Sequence, residues 1–329
     1  MELKDPTFWA KFCESVINVV LVTICALVVP IIVGNVMTVV AVFNKARLNT
    51  PSNIFIVGLV VADLLLTLSI LLDAAIYATI QNEKDAITKL MGFAVANSQQ
   101  ELIKKQLKFD MFIHRAFLAV LVPIFASFAA SACILVFFTL ERHIAVAHGD
   151  AHRTSITKKK SVTAVLISFM LAALFTIPLF TWNQEQKDKI DRSCDQVYWH
   201  LIRTIGQGYY IIANLPLYVI IIILVLVVSS QLKNDCGKGM PEHVKSMEAV
   251  RLLLICFIIL WLPFVLFIAL VVNKILQVHS FLFFAFSMLA IVINCALRPI
   301  IYMRKMPYFG KAFRQLVCCN RKRVRYGSV

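Results

Sequence analysis

Charge is scarce in this chain. Only 16% of its 329 residues are Asp, Glu, Lys or Arg, while 60% are hydrophobic and the mean hydropathy is +0.81. A soluble domain carries about 25% charged and about 45–50% apolar residues, so the balance speaks against a soluble fold. Internal repeats and low-complexity tracts are missing, and so are N-x-S/T sequons. Alternation in segments of about ten residues, the mark of a membrane β-barrel, is absent too. The nine cysteines show no metal-ligand spacing. Cys25, Cys133, Cys256 and Cys295 fall within apolar runs, as small packing residues do. The opening Met1-Glu2-Leu3-Lys4-Asp5-Pro6 is too acidic for the n-region of a signal peptide, and the apolar run after it is too long for an h-region. That run reads as a retained first span.

What the chain has instead is long apolar runs. A helix needs about 20 mostly apolar residues to cross about 30 Å of hydrocarbon. Seven segments qualify, near 16–43, 52–80, 112–143, 161–182, 206–232, 249–272 and 279–303. They predict an all-α integral membrane protein, a seven-transmembrane-helix bundle. Its expected divisions are an extracellular N-terminus at 1–15, the bundle at 16–303, and a cytoplasmic helix with a basic tail at 304–329. Residues 81–111, charged at both ends, read as a long loop with room for a short helix. The stretches 44–51, 141–160, 233–251 and 304–329 hold 19 Lys and Arg against 5 Asp and Glu, whereas the other hydrophilic stretches are nearly balanced. Positive charge marks the cytoplasmic side, so the N-terminus is expected outside and the C-terminus inside. Most of the net charge of +15 is this bias facing anionic lipid. The basic residues are split among loops and form no single face, which disfavours nucleic acid as a partner.

Polar residues at membrane depth are costly and face the interior of a bundle. The first span holds Asn35, the second Asn53 and Asp63, and the third Ser131 before ending in Glu141-Arg142-His143. The sixth runs from Phe257 through Trp261 to Pro263, and the seventh contains Asn294, Arg298, Pro299 and Tyr302. With Gly34-Asn35, Asn53-Ile54-Phe55 continuing to Leu59 and Ala62-Asp63-Leu64, and Pro216 in the fifth span, the chain resembles the rhodopsin-like (class A) G-protein-coupled receptors over about residues 20–320. The individual motifs are weak, but six in the right order on the right spans are specific.

The resemblance implies a plasma-membrane receptor in which an extracellular ligand shifts the bundle between two packings and a heterotrimeric G protein enters from the cytoplasm. No cofactor, metal or catalytic role is implied. Glu141, Arg142 and His143 would form the coupling end. Pro216, Ala132 and Phe257 would repack below the ligand, with Trp261 just above the kink that Pro263 makes in the sixth helix. Pro299 and Tyr302 would complete the switch.

The largest departure from the family is Arg298, where asparagine is usual. In the family that asparagine, with the counterparts of Asp63, Ser131 and Asn294, surrounds a sodium ion. Asn294 and Arg298 share a helix face, and helical side chains tilt toward the N-terminus of their own helix. Arg298 and Asp63 are thus aimed at each other, and an ion pair in place of sodium is expected; the alternative is that Arg298 snorkels to the cytoplasm. A second departure is Phe117 at the third-helix position of the usual disulfide. Cys13 and Cys194 remain, either bridged or as two free thiols. The fourth span lacks the usual tryptophan, and Leu224 replaces a common tyrosine in the fifth. These losses keep a second function open: a receptor of the same fold with weak or no G-protein coupling, of decoy or modulatory type.

After Pro307, the apolar face of Phe309, Phe313 and Leu316 opposes Lys311 and Arg314, as in an amphipathic helix on the membrane surface. Cys318 and Cys319 at its end are either palmitoylation sites or plain thiols. The pocket should be lined by Asp73, Tyr77, Ile124, Ser127, Tyr210, Asn214, Trp261 and His279, with Asp73 facing either a cationic ligand group or Arg115. Val292 stands where a retinal pigment needs lysine, Ile124 where an amine receptor needs aspartate, and Ile268 where an adenosine receptor needs asparagine. Those three ligand classes are disfavoured. A transporter would show inverted repeats or paired broken helices, and a membrane enzyme a His/Asp/Glu cluster at one depth; neither pattern is present.

Overall fold

The computed structural model describes residues 6–93, 122–145, 157–185, 215–235, 242–272, 280–306 and 308–317. Its helices are α1 (Pro6–Asn44), α2 (Pro51–Phe93), α3 (Val122–Ala145), α4 (Lys158–Glu185), α5 (Leu215–Asp235), α6 (Glu242–Val272), α7 (Ser280–Lys305) and α8 (Phe309–Val317). Six of these are long and apolar enough to cross a membrane, and a shorter apolar stretch, Pro216–Leu232, lies in α5. The architecture is a seven-helix membrane bundle with a short helix after the seventh span.

Two boundaries differ from the sequence expectation. α1 begins at Pro6, ten residues before the expected start of the span, and proline's fixed φ suits a first helical turn. α2 continues to Phe93 through residues read as loop. Residues 81–85 are polar, but Glu83, Lys84, Ala86, Lys89, Leu90 and Met91 are all good helix formers, and no proline interrupts 81–93. Their polarity marks departure from the membrane without ending the helix.

Lipid is as apolar as leucine, so helices in a membrane associate through close packing rather than hydrophobic expulsion, and small residues let backbones approach. α7 packs on α1 and α6, α2 on α1 and α4, and α5 on α6. A Cβ added to Gly34 would lie 3.1 Å from the Pro299 ring, so this glycine sets how closely α1 and α7 meet. A Cβ on Gly58 would lie 2.9 Å from Val165 Cγ1 on α4. The outer surfaces of the same helices are exposed and apolar, with Val22 at 70% and Leu226 at 65%, as a lipid-facing belt requires.

Candidate functional site

Aromatic rings fill the middle of the bundle between α3 and α6. Trp261 is buried and meets Phe128 edge-on, with centroids 4.8 Å apart at 64°, and Phe264 at 6.0 Å and 80°. Phe257 stacks on Phe128 at 5.3 Å and lies 5.7 Å from Trp261. Phe125 extends the group through Phe264 at 5.6 Å. Edge-to-face and offset pairs of this kind contribute about 0.5–1.5 kcal/mol each beyond area burial. Ala132 is buried on the same helix as Phe128, and Pro263 lies inside α6. Ile124 and Ser127 are buried on the α3 surface above. Pro216 is exposed and stands apart from this cluster. Two residues on, Tyr218 is buried, and its hydroxyl donates to the Ile258 carbonyl. Proline at 263 cannot donate to the carbonyl of Ile259, so Tyr218 anchors α5 one residue from the weakened point of α6.

A polar layer lies deeper. Arg298 Nη1 donates to Asp63 Oδ1 at 2.6 Å, and both side chains are 2% exposed. Ser131 Oγ lies 3.4 Å from the same guanidinium nitrogen, and Cys295 Sγ donates to Asp63 Oδ1 at 3.4 Å. Asn35, Asn294 and Tyr302 are buried within the bundle. An arginine head already bonded to Asp63 and approaching Ser131 does not fit a sodium ion at that carboxylate. Two charges withdrawn from water gain little net stability from each other, but removing one partner typically costs about 3–5 kcal/mol.

At the other end of α3, Arg142 turns toward α2. Its Nη2 and Nε lie 2.5 and 2.6 Å from the Glu141 carboxylate. Ser52, at the start of α2, donates to Glu141 Oε1 at 2.8 Å and accepts from Arg142 Nη2. The neighbouring Asn53 caps the preceding turn, donating to Leu48 O at 2.7 Å. His143 is half-buried beside them. The tie between α6 and α7 is a different one: Lys305 Nζ lies 2.8 Å from Glu248 Oε1.

The end of α7 turns a fixed corner. Tyr308 has φ 67°, and a Cβ on Gly310 would lie 2.8 Å from the Met303 carbonyl oxygen. α8 then packs Phe309, Ala312 and Phe313 against α1 and α7, with Phe309 6.1 Å from Tyr302 and Leu316 half-buried. The apolar face that was expected to lie on the membrane is largely covered by the bundle.

Residue type singled out neither Ser52, Tyr218, Phe128 and Phe264 nor the Glu248–Lys305 pair. The only sequence signal for Phe128 and Phe264 was an aromatic on each of two facing helices. Asp73 and Tyr77 fall in α2, and Cys13 in α1, but their side chains lie outside the described residues. Phe117, Tyr210, Asn214, His279, Cys194, Cys318 and Cys319 lie wholly outside them. Among the described residues no group of three or more His, Cys, Asp or Glu is placed to hold a metal ion.

The profile described as 7 transmembrane receptor (rhodopsin family) matches residues 34–302. The thyrotropin-releasing hormone receptor of Bos taurus is 24% identical over 341 residues, covering 89% of this chain and 76% of its own. The melanocortin receptor 3 of Mus musculus is 20% identical over 316 residues, covering 94% and 88%. The alpha-1A adrenergic receptor of Oryzias latipes is 22% identical over 333 residues, covering 87% and 64%.

Proposed function

The chain belongs to the rhodopsin family of seven-transmembrane receptors, and on that premise we propose that its switch is held by a cation of its own, Arg298, where the family uses a mobile sodium ion. As a member of that family it is a multi-pass membrane receptor, not an enzyme, and it converts extracellular ligand binding into G-protein activation by helix rearrangement. The observation that carries the switch reading is the buried 2.6 Å contact between Arg298 and Asp63.

A ligand changes a conformational equilibrium only by its differential affinity for the two states. In our reading the ligand lies above Trp261, against Ile124, Ser127, Asp73, Tyr77, Tyr210, Asn214 and His279. Its contact on Trp261 shifts the ring against Phe128, and α6 pivots at Pro263. The cytoplasmic end then opens, and Arg142 exchanges Glu141 and Ser52 for the G protein. Pro299, Tyr302 and the layer of Asn35, Asp63, Ser131, Asn294 and Arg298 transmit the change along α7. The N-terminus lies outside the cell and the C-terminus inside, following the positive-charge bias. The relatives' names point to different ligands, so no ligand class is carried over; retinal and biogenic amines are disfavoured by Val292 and Ile124. In this reading Cys13 and Cys194 either bridge or stay as two thiols, and Cys318 and Cys319, next in sequence after α8, take palmitate.

Weak or absent coupling is the second reading. It is favoured by the same ion pair, which occupies α7 where the family's asparagine would rearrange, and by Leu224 in α5. The test of both is nucleotide exchange on a panel of purified G proteins, driven by agonists from a ligand screen, in sodium and in choline chloride. Exchange that is robust and indifferent to sodium supports the first reading. No exchange with any G protein at saturating ligand supports the second, and sodium-dependent exchange overturns the fixed-cation switch.

A further inference from the structure

Exposed positive charge converges at one seam on the base of the bundle. Arg47, in the turn between α1 and α2, is exposed, and its guanidinium carbon lies 5.5 Å from the centre of the Tyr308 ring. Tyr308 precedes α8 as its flanking residue: its φ of 67° is not helical, but its carbonyl accepts from Ala312 N at 3.0 Å. Residues three apart on a helix are neighbours, about 5–6 Å between Cβ atoms. Lys311 and Arg314 therefore run along one side of α8, and Tyr308 stands at its start. All three are exposed, whereas Phe309, Ala312 and Phe313 are buried on the other side. Glu141 and Glu248, acids at this end, are engaged by Arg142 and Lys305. Among the described residues no carboxylate pairs with Arg47, Lys311 or Arg314.

We propose that this seam binds the headgroup of a polyanionic lipid, an inositol phospholipid carrying two or more phosphates. One phosphate answers one cation, whereas three cations strung along a helix edge and an adjoining turn match a headgroup with several. The seam also borders the lipid. Phe43, in the last turn of α1, is 55% exposed, and Val317, at the end of α8, is 68% exposed, so acyl chains have apolar surface beside the charge. A basic cluster at a membrane boundary attracts anionic lipid through these same charges. Tyr308 fixes the spacing: its φ of 67° and the cation–π contact hold Arg47 against the first turn of α8. The choice of the cytoplasmic leaflet rests on the orientation proposed above; the headgroup chemistry does not.

The test uses the full-length receptor in phosphatidylcholine nanodiscs, with fluorescent phosphatidylinositol 4,5-bisphosphate titrated in. The wild type is expected to show saturable binding. R47Q/K311Q/R314Q is expected to weaken it about tenfold or more, while K158Q/K159Q/K160Q, which removes the same charge from the start of α4, changes it less than twofold. Equal weakening by the two triple variants would mean diffuse attraction and overturn the site. So would equally effective displacement by phosphatidylserine at matched charge, or displacement by soluble inositol trisphosphate at the lipid's own concentration. Where the first variant is not monodisperse, a photoreactive phosphoinositide headgroup is crosslinked to the wild type and mapped by mass spectrometry. Adducts at 43–47 and 308–314 support the seam, and adducts confined to other segments overturn it. Nanodiscs present the lipid in both leaflets, so a failure here is distinct from a wrong orientation, which tag accessibility in intact cells reports separately.

Discussion

Arg298 and Asp63 face each other across the bundle from helices that run in opposite directions, each side chain tilted back toward the N-terminus of its own helix. The guanidinium takes Asp63 Oδ1, while Asp63 Oδ2 has no hydrogen-bond partner among the described residues. Asp63→Asn strands a buried guanidinium, and the expected cost is about 3–5 kcal/mol. The double change Asp63→Asn with Arg298→Asn removes both charges and is expected to recover most of that loss. Thermal unfolding of the purified receptor checks the order. A double variant no more stable than Asp63→Asn alone would argue against the pairing.

Arg298→Asn by itself restores the residue usual in the family and leaves Asp63 without its cation. Such a variant is expected to acquire a rise in melting temperature with sodium chloride over choline chloride, where the wild type shows none. A sodium response already present in the wild type would contradict the fixed-cation reading.

Trp261 and Phe128 meet edge-on at 4.8 Å, and Phe128 bridges Trp261 to Phe257. Phe128→Ala opens a cavity at that bridge, with an expected stability cost of about 3–5 kcal/mol. If the ring cluster carries the ligand signal, agonist-driven nucleotide exchange should fall at least tenfold while ligand affinity changes far less. Parallel loss of affinity and exchange would place Phe128 in the pocket instead.

Glu248 in the early turns of α6 and Lys305 at the end of α7 join the two helices at a partly exposed contact. Exposed pairs contribute about 0.2–1 kcal/mol, so Glu248→Gln or Lys305→Gln is expected to raise basal nucleotide exchange by no more than about fivefold. The exchanged pair E248K/K305E should return the basal rate toward wild type. If it behaves like the sum of the single changes, the contact does not restrain α6.

At the α7–α8 corner, volume added to Gly310 meets a backbone atom. Its Cβ would stand 2.8 Å from the Met303 carbonyl oxygen. Gly310→Ala should displace α8 and cost about 1–3 kcal/mol, the range for overpacking. The loss is expected as a lower melting temperature together with greater protease sensitivity after residue 305.

The spans were legible because continuous apolar runs of that length have one solution in lipid. The Arg298–Asp63 pair was legible because helix geometry fixes which side chains share a face and which way they lean. Where α2 ends was not, since the polarity of Glu83, Lys84 and Asp85 reports water and says little about backbone conformation. Neither Ser52 beneath Arg142 nor Tyr218 on the Ile258 carbonyl could be read from residue type. Both depend on how two helices are rotated against each other, which a single helix's periodicity leaves open. Pro216 shows the same limit from the other side, since a familiar residue at a familiar position points outward here.

A mobile ion inside a membrane protein answers to the electric field across the bilayer, at about 2.3 kcal/mol per elementary charge per 100 mV when it crosses the whole of it. Its occupancy also follows the salt on the side from which it enters. The guanidinium of Arg298 is covalently tethered and does neither. It cannot be diluted, exchanged or drawn out by a change in potential. A receptor built this way sets its resting balance in its sequence, and a cell in which membrane potential or sodium fluctuates would read from it a steadier signal.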